Sequence, residues 1–327
     1  MKAGTIYILM ALLLHGFYVQ SQSNILFQSQ DPLPLKLNYS KKKVINKTND
    51  STYIKSQLQY KLTANWKKIE IHLRVRGHFR KRYCDNAPLK IKISKNKAKG
   101  TLFEGNKNLK LVLPCQTTPL DKDYVLKEYI AYKMYGLFSP YHFKTRKVVF
   151  NSKTKPFDGF LIEDDKTVAK RFQAKISDQK IVHSHLEARA TTVHSFFQFL
   201  IGNTDFFYAP KHNIKFIEWE DNIQILPYDF DLSGFVNPNY GDKNKALGIE
   251  NLTKRQYKGI KRDPRVMEEV RQLYLAKEEE IFTLLEKEKK FFTNQKEYEW
   301  ARAYIDSFYA LIKEDSQFQS EIVQAAR

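Results

Sequence analysis

The sequence predicts an α+β chain in two lobes, a small basic β-rich N-lobe with one helix and a larger, mostly helical C-lobe. Alternation of apolar and polar residues, typical of strands, is concentrated before residue 165, whereas helical spacing dominates from Asp263 to Arg327. A chain of 327 residues that is 42% hydrophobic and 14% aromatic is typical of globular proteins with a sizeable core. We predict a signal peptide at residues 1–21, the N-lobe at 22–165 and the C-lobe at 166–327.

Positive charge is concentrated in the predicted N-lobe. The formal net charge is +19, and the stretch from Lys41 to Lys110 holds 20 lysines and arginines against four acids. Such a surface attracts polyanions: nucleic acid, anionic lipid or polysaccharide, acidic protein segments, or nucleotide phosphates. The alternative is that the charge serves solubility alone.

The first residues have the pattern of an export signal. Lys2 supplies the positive end, Ile6 to Leu14 the apolar run, and Val19-Gln20-Ser21 a small-residue cleavage site. The apolar run is short for a membrane span, and no later segment approaches that length. We therefore expect an exported protein, periplasmic or extracellular, whose mature chain begins near Gln22.

Strand and helix signals follow in order along the N-lobe. A polar lead-in of strands or extended chain is followed by five predicted strands: Ile69 to Arg76, Pro88 to Ile93, Leu109 to Leu113, Phe143 to Phe150, and Gly159 to Ile162. Between the third and fourth strands, a helix is predicted from Leu120 to a stop at Gly136. The acidic run Glu163-Asp164-Asp165 marks the crossing into the C-lobe.

Two cysteines, Cys84 and Cys115, are the complete set in the sequence. In an exported chain an isolated pair favours a disulfide bond. Metal binding is the weaker alternative, because two cysteines alone do not complete a ligand set.

Polar residues cluster around one predicted hairpin in the C-lobe. A buried helix ends at Gly202-Asn203, and Asp205 and then His212-Asn213 precede two strands, Ile214 to Trp219 and Ile223 to Leu226. The second strand ends in the acidic loop Pro227 to Gly234. Loops fixed by apolar elements are common places for functional residues.

An asparagine carbonyl and an aspartate carboxylate held close together suit Mg²⁺ that carries a nucleotide phosphate. A further aspartate upstream can accept a hydroxyl proton, so Asp205, Asn213 and Asp229 form an ordered set for phosphoryl transfer. The spacing from Asp205 to Asn213 is longer than in the catalytic loop of protein kinases. The alternative is that Asn203 and Asp205 cap the helix and that the acidic loop is an ordinary Asx turn.

Four segments together resemble the CotH-type (spore-coat protein H-like) atypical kinase family, in its exported bacterial branch. They are RVRGHFRKRYCDNAPLKIKI, LKEYIAYKMYGLFSPYHFKTRKVVF, GFLIEDD and IGNTDF…HNIKF…PYDFDLSG, within Ile69 to Val236. The resemblance implies a protein-kinase-like fold, ATP with Mg²⁺ or Mn²⁺, and transfer of the γ-phosphate to a protein acceptor, which could be acidic or Ser-rich.

The resemblance also implies roles for single residues. Lys90 or Lys92 would hold the nucleotide phosphates, Glu128 would position that lysine, Asp205 would be catalytic, and Asn213 and Asp229 would bind the metal. The chain has no glycine-rich loop, so the turn Arg76-Gly77 is the candidate for covering the nucleotide phosphates. Since the acidic loop reads Asp-Phe-Asp, Asp231 is the alternative to Asp229 as the metal ligand.

Two other functions are compatible with the same residues. One is a non-catalytic secreted pseudokinase or binding module that uses the basic lobe for an acidic polymer or protein. The other is a metal-dependent phosphoester hydrolase built on the same aspartates and asparagine.

Overall fold

A closed β-barrel forms the N-terminal half of the chain, and helices packed around a small sheet form the C-terminal half. A computed structural model describes residues 24–77, 79–150, 158–179, 186–220, 222–240 and 251–327. The functional residues predicted from the sequence all lie within these ranges.

Seven strands make the barrel, in the spatial order β1-β2-β3-β4-β5-β7-β6. They are β1 (Leu33–Asn38), β2 (Ile54–Lys61), β3 (Trp66–Val75), β4 (Leu89–Lys92), β5 (Asn108–Val112), β6 (Thr145–Phe150) and β7 (Gly159–Glu163). Neighbours pair antiparallel, except that β1 pairs parallel with β6 and so closes the barrel.

The alternating pattern of the strands fixes which side chains fill the barrel. Successive side chains of a strand point to opposite faces, so every second residue enters the core. The buried set includes Leu58, Tyr60, Ile69, Ile71, Leu73, Leu89, Ile91, Leu109, Leu111 and Leu161. The lysines that alternate with them, Lys90, Lys92 and Lys110, are consequently on the outer face.

The C-terminal half contains one three-stranded sheet, in the order β10-β9-β8, and most of the helices. The strands are β8 (Lys175–Ile176), β9 (Ile214–Trp219) and β10 (Asn222–Pro227). The helices of the described residues are α1 (Lys41–Lys47), α2 (Phe79–Tyr83), α3 (Lys95–Ala98), α4 (Pro119–Phe138), α5 (Asp165–Arg171), α6 (Ala188–Ile201), α7 (Pro264–Ala276), α8 (Glu278–Glu288), α9 (Gln295–Lys313) and α10 (Asp315–Phe318). The described ranges also contain short 3₁₀ turns at Ile25–Phe27 and Lys289–Phe291 and a π-helical turn at Gln319–Val323.

Helix α4 joins the two halves and begins at a sequence-encoded cap. The Thr118 hydroxyl accepts a hydrogen bond from the Asp121 N–H at 3.1 Å. Most of α4 is buried against the outer face of the barrel and the helices of the C-terminal half. Gly136 lies inside α4 and does not end it; a Cβ at this position would lie 3.3 Å from the His142 ring.

The predicted fold class, a two-lobed protein-kinase-like fold with one helix in a small N-lobe, is wrong. The N-terminal half is a closed barrel that carries α1, α2 and α3 in addition to α4. The cause lies in the stretch before Ile54, where the prolines and lysines obscure the apolar alternation of Leu33 and Leu35. Those side chains enter the barrel core, and β1 supplies the parallel pairing that closes it.

The predicted export signal at residues 1–21 lies outside the described residues. Within the described part of the chain, no helix is long and apolar enough to cross a membrane. The predicted boundary at residue 165 falls at the first residue of α5, and the division into lobes at that position stays a prediction.

The predicted disulfide bond is confirmed. Cys84 and Cys115 are bonded with an S–S distance of 2.08 Å and a Cα–Cα distance of 4.6 Å. The bond joins the end of α2 to the segment between β5 and α4, and both cysteines are buried.

Replacing both cysteines with serine should lower the free energy of unfolding. The bond closes a loop with a sequence separation of 31 residues. The chain-entropy model gives roughly 3–4 kcal/mol for such a loop. Urea unfolding of the oxidised wild type and of the double variant measures the difference, and the reduced wild type should match the variant. Equal unfolding midpoints for all three samples would contradict the prediction.

Candidate functional site

The side chain of Asn213 is held by Asp205, eight residues earlier in the chain. Its Nδ2 donates to the Asp205 backbone carbonyl at 2.8 Å and to Asp205 Oδ2 at 3.0 Å. His212 Nε2 donates to the other carboxylate oxygen, Oδ1, at 2.9 Å. Because the side-chain amide nitrogen of Asn213 is bonded to Asp205, its side-chain oxygen, Oδ1, is available to a ligand.

Asp205 owes its position to the end of helix α6. Gly202 adopts a left-handed conformation (φ 63°), where an added Cβ would collide with the Tyr304 hydroxyl. The Asn203 Oδ1 then accepts the Asp205 N–H at 3.0 Å in an Asx turn directly after the helix. This turn leaves the Asp205 carboxylate free to engage His212 and Asn213.

The β9–β10 hairpin brings Asp229 next to Asn213. Ile214 pairs with Pro227, and the Tyr228 N–H donates to the Asn213 backbone carbonyl at 3.0 Å. The ladder therefore continues one step beyond the strands. The Asp229 N–H donates to the Tyr132 hydroxyl of α4 at 3.0 Å. Asn213 (φ 54°) and Asp229 (φ 65°) both have left-handed backbone conformations, which are strained for non-glycine residues and often occur at functional sites.

A buried cluster of opposite charges lies beside this hairpin. Arg80 of α2 places Nη1 at 3.7 Å from Glu128 Oε2 and at 3.9 Å from Asp231 Oδ2. The Tyr240 hydroxyl donates to Asp231 Oδ2 at 3.4 Å. Within the described residues, neither oxygen of Glu128 has a hydrogen-bond partner, although the residue is only 1% exposed.

Burial and mutual repulsion shift the pKa values of these acids upward. Burial, with the nearby charge of Asp231, raises the pKa of Glu128 to about 8. Burial, with Asp229 as the next cause, raises the pKa of Asp231 to about 6. The pKa of Asp205 is also raised by burial, against the opposing effect of His212. These acids therefore resist ionisation, and a cation bound nearby would favour their charged forms.

Lys110 on β5 is the strand lysine with the most perturbed environment. Its Nζ lies 4.7 Å from the centre of the Tyr228 ring and 4.8 Å from that of Phe143, and it forms no ion pair within the described part of the chain. Burial, followed by the charge of Arg76, lowers the pKa of Lys110 to about 8. A phosphate group near Lys110 would favour its charged form.

The residues predicted from the sequence are brought together in part. Arg76, Glu128 and Asp231 are electrostatic neighbours, and Asp205, Asn213 and Asp229 adjoin them. Lys90 and Lys92 lie outside this group. Lys90 Nζ is 3.8 Å from Asp164 Oδ2, and the exposed Lys92 lies over the Tyr53 ring. The described ion pairs of Glu128 involve Arg80 and neither of these lysines.

Asn213 and Asp229 provide two oxygen ligands. This number fits a divalent cation whose other ligands come mainly from a bound substrate. The Asp229 carboxylate is half-buried and makes no hydrogen bond or ion pair within the described residues. No group of three or more His, Cys, Asp or Glu side chains with metal-binding geometry occurs in the described ranges. A site of this kind suits Mg²⁺, which is usually held by one or two protein ligands together with substrate phosphates and water.

The sequence was compared with models of known families and with curated proteins. No family model matches the chain, and no curated protein matches it. The resemblance to CotH-type kinases consequently rests on the four quoted segments, and any function must be argued from the residues of the site.

Three residues of the site are not among those predicted from the sequence: Lys110, Arg80 and Tyr132. Lys110 had a usable signal, since it alternates with Leu109 and Leu111 and lies directly across the ladder from Lys90. Arg80 and Tyr132 had none, because their positions depend on the disulfide bond and on the packing of α4 against the hairpin.

Lys110 should react with an amine-selective reagent in a distinctive pH range. With a pKa of about 8 it becomes neutral, and therefore nucleophilic, well below the ordinary lysine pKa of about 10.4. Its acylation rate, followed by peptide mass spectrometry, should level off above about pH 9. In the urea-unfolded chain the rate should continue to rise. The same rising profile in the folded protein would contradict the lowered pKa of Lys110.

Proposed function

We propose that the protein transfers the γ-phosphoryl group of ATP to a hydroxyl of a protein acceptor, with Mg²⁺ or Mn²⁺ bound at Asn213 and Asp229. The observation that supports this most is the pair of hydrogen bonds from the Asn213 amide to Asp205. They engage the amide nitrogen and leave its oxygen without a described partner, at the end of the hairpin that carries Asp229. The resemblance of the sequence to CotH-type kinases agrees with the proposal, which does not depend on a kinase fold.

Asp205 is the group that accepts the proton of the acceptor hydroxyl. Burial raises its pKa, which makes the carboxylate a better base, while His212 and Asn213 fix its orientation. As the hydroxyl oxygen forms its bond to the γ-phosphorus, the bond from that phosphorus to the bridging oxygen of ADP breaks. The proton passes to Asp205, so charge and atoms balance.

Cations on the barrel side of the site bind the phosphates. Lys110 has no carboxylate within ion-pair distance in the described part of the chain, and Arg76 is close enough to influence its pKa. Both can pair with phosphate oxygens without first breaking a described ion pair. The divalent ion, when bound, neutralises the charge of the nucleotide and stabilises the transferring group.

We infer the acceptor and the compartment from the surface charge and the disulfide bond. The excess of lysine and arginine in the barrel half favours an acidic acceptor, such as an acidic or Ser-rich protein segment. A disulfide bond between the two cysteines favours an oxidising compartment outside the cytoplasm. We propose that the protein is exported and acts there.

A non-catalytic binding module is the second candidate, favoured by one contact. Glu128 lies next to Arg80 and not next to a strand lysine, so a cation already occupies the place at which a nucleotide-binding lysine would be positioned. In that case the basic barrel surface would bind an acidic polymer or protein. A hydrolase built on the same residues would differ from both, because it would release free phosphate and label no protein.

Substituting Asp229 and Asp205 should separate binding from transfer. Asp229→Ala removes a metal ligand and should abolish most Mn²⁺-dependent ATP binding in calorimetry. Asp205→Asn retains an acceptor for the Asn213 amide, so binding should persist. Transfer from labelled ATP to an acidic acceptor should fall by about 10²–10⁴-fold, the usual contribution of a general base.

Asp306→Ala is the matched control, because this exposed carboxylate of α9 pairs weakly with Arg302 at 3.8 Å and is part of the surface. It should bind and transfer as the wild type does. Unchanged ATP affinity in a folded Asp229→Ala protein would contradict the metal site. Labelled free phosphate without labelled protein would favour the hydrolase, and failure of the wild type to bind ATP would favour the binding module.

A further inference from the structure

Arg80 is a buried cation on a short helix, and it lies next to the buried acids of the site. Only 6% of Arg80 is exposed, and Nη2 donates to the Leu113 carbonyl at 3.0 Å while Nη1 faces Glu128 and Asp231. Among the described ion pairs, Arg80 is the cation within 4 Å of both acids. Without it, the two buried acids would have no opposite charge at that distance, and burial would favour their neutral forms.

The disulfide bond fixes the helix that carries Arg80. Helix α2 has five residues, too few to be stable by itself, and Cys84 follows Arg80 by one helical turn. Its partner Cys115 belongs to the same β5–α4 connection as Leu113, whose carbonyl accepts the Arg80 hydrogen bond. Asn86 adds two hydrogen bonds to this connection, to Cys115 and Pro114.

The two aspartates of the acidic loop have different surroundings as a consequence. Asp231 is buried, faces Arg80 and accepts a hydrogen bond from Tyr240. Asp229 is half-buried, and its carboxylate has no such partner in the described part of the chain. Arg80 thus faces Asp231 and leaves Asp229 available to bind a cation.

We propose that Arg80 is a positioning residue that holds Asp231 away from the metal, assigns metal binding to Asp229, and depends for its own position on the Cys84–Cys115 bond. This inference rests on the proposed function, since it concerns the geometry of the metal–nucleotide site. Its consequence is that a disulfide bond outside the metal–nucleotide site controls nucleotide affinity through one guanidinium group.

A mutant cycle tests the link between the disulfide bond and Arg80. Affinity for ATP with Mn²⁺ is measured by calorimetry for Arg80→Gln, for the double variant Cys84→Ser with Cys115→Ser, and for the triple variant. Each of the first two should weaken affinity by about tenfold or more, and the triple variant should be no weaker than Arg80→Gln, because groups that act as a unit are not additive.

Two further variants separate positioning from general damage. Arg80→Lys keeps the charge in the buried cluster and should recover most of the affinity lost in Arg80→Gln, although it lacks the planar fork of arginine. Lys81→Gln changes an exposed cation on the same helix and should bind as the wild type does. Circular dichroism confirms that each variant is folded. The comparison of Arg80→Gln with Arg80→Lys remains decisive if the serine variants do not fold.

The outcomes distinguish this inference from the proposed function. If the wild type binds ATP with Mn²⁺ and Arg80→Gln binds equally well, the positioning role is wrong while the proposed function stands. Losses that multiply in the triple variant would overturn the link to the disulfide bond. A wild type that binds no ATP would overturn the proposed function and this inference with it.

Discussion

The candidate site depends on the hydrogen bonds between the Asn213 amide and Asp205. They join the loop after α6 to the first residue before β9, so the end of a buried helix and the start of a hairpin cannot move independently. The hairpin register then places Asp229 beside Asn213. Since an asparagine carboxamide carries its donors and its acceptor on different atoms, the contact that fixes its nitrogen leaves its oxygen for a ligand.

A second constraint is the balance of buried charge around α4. Glu128 and Asp231 are held in a largely dry environment that raises both pKa values, and Arg80 is the cation that offsets them. Burial works against charge on Arg80 as well, but Tyr240, Asp231 and Glu128 raise its pKa, so the guanidinium stays protonated. Buried charges are costly unless they are paired, and the disulfide bond keeps this pair assembled.

Local patterns in the sequence were sufficient to predict the hairpin, the helix ending at Gly202 and the disulfide bond, because each depends on residues close in the chain or on a single pair. The closed barrel was not predicted, since the parallel pairing of β1 with β6 joins residues more than a hundred positions apart. The same limit applies to the site. Asp205, Asn213 and Asp229 follow from hairpin geometry, whereas Lys110 and Arg80 depend on the packing of strands and helices against one another.

The central claim is that Asn213 and Asp229 share a divalent cation that carries a nucleotide. Anomalous scattering from Mn²⁺, in crystals grown with a non-hydrolysable ATP analogue, tests it most directly. The account predicts one peak within coordination distance of Asn213 Oδ1 and the Asp229 carboxylate, with phosphate oxygens completing the shell and Asp231 still facing Arg80. A peak coordinated by Asp231 and Glu128 instead, or nucleotide bound elsewhere on the protein, would contradict it.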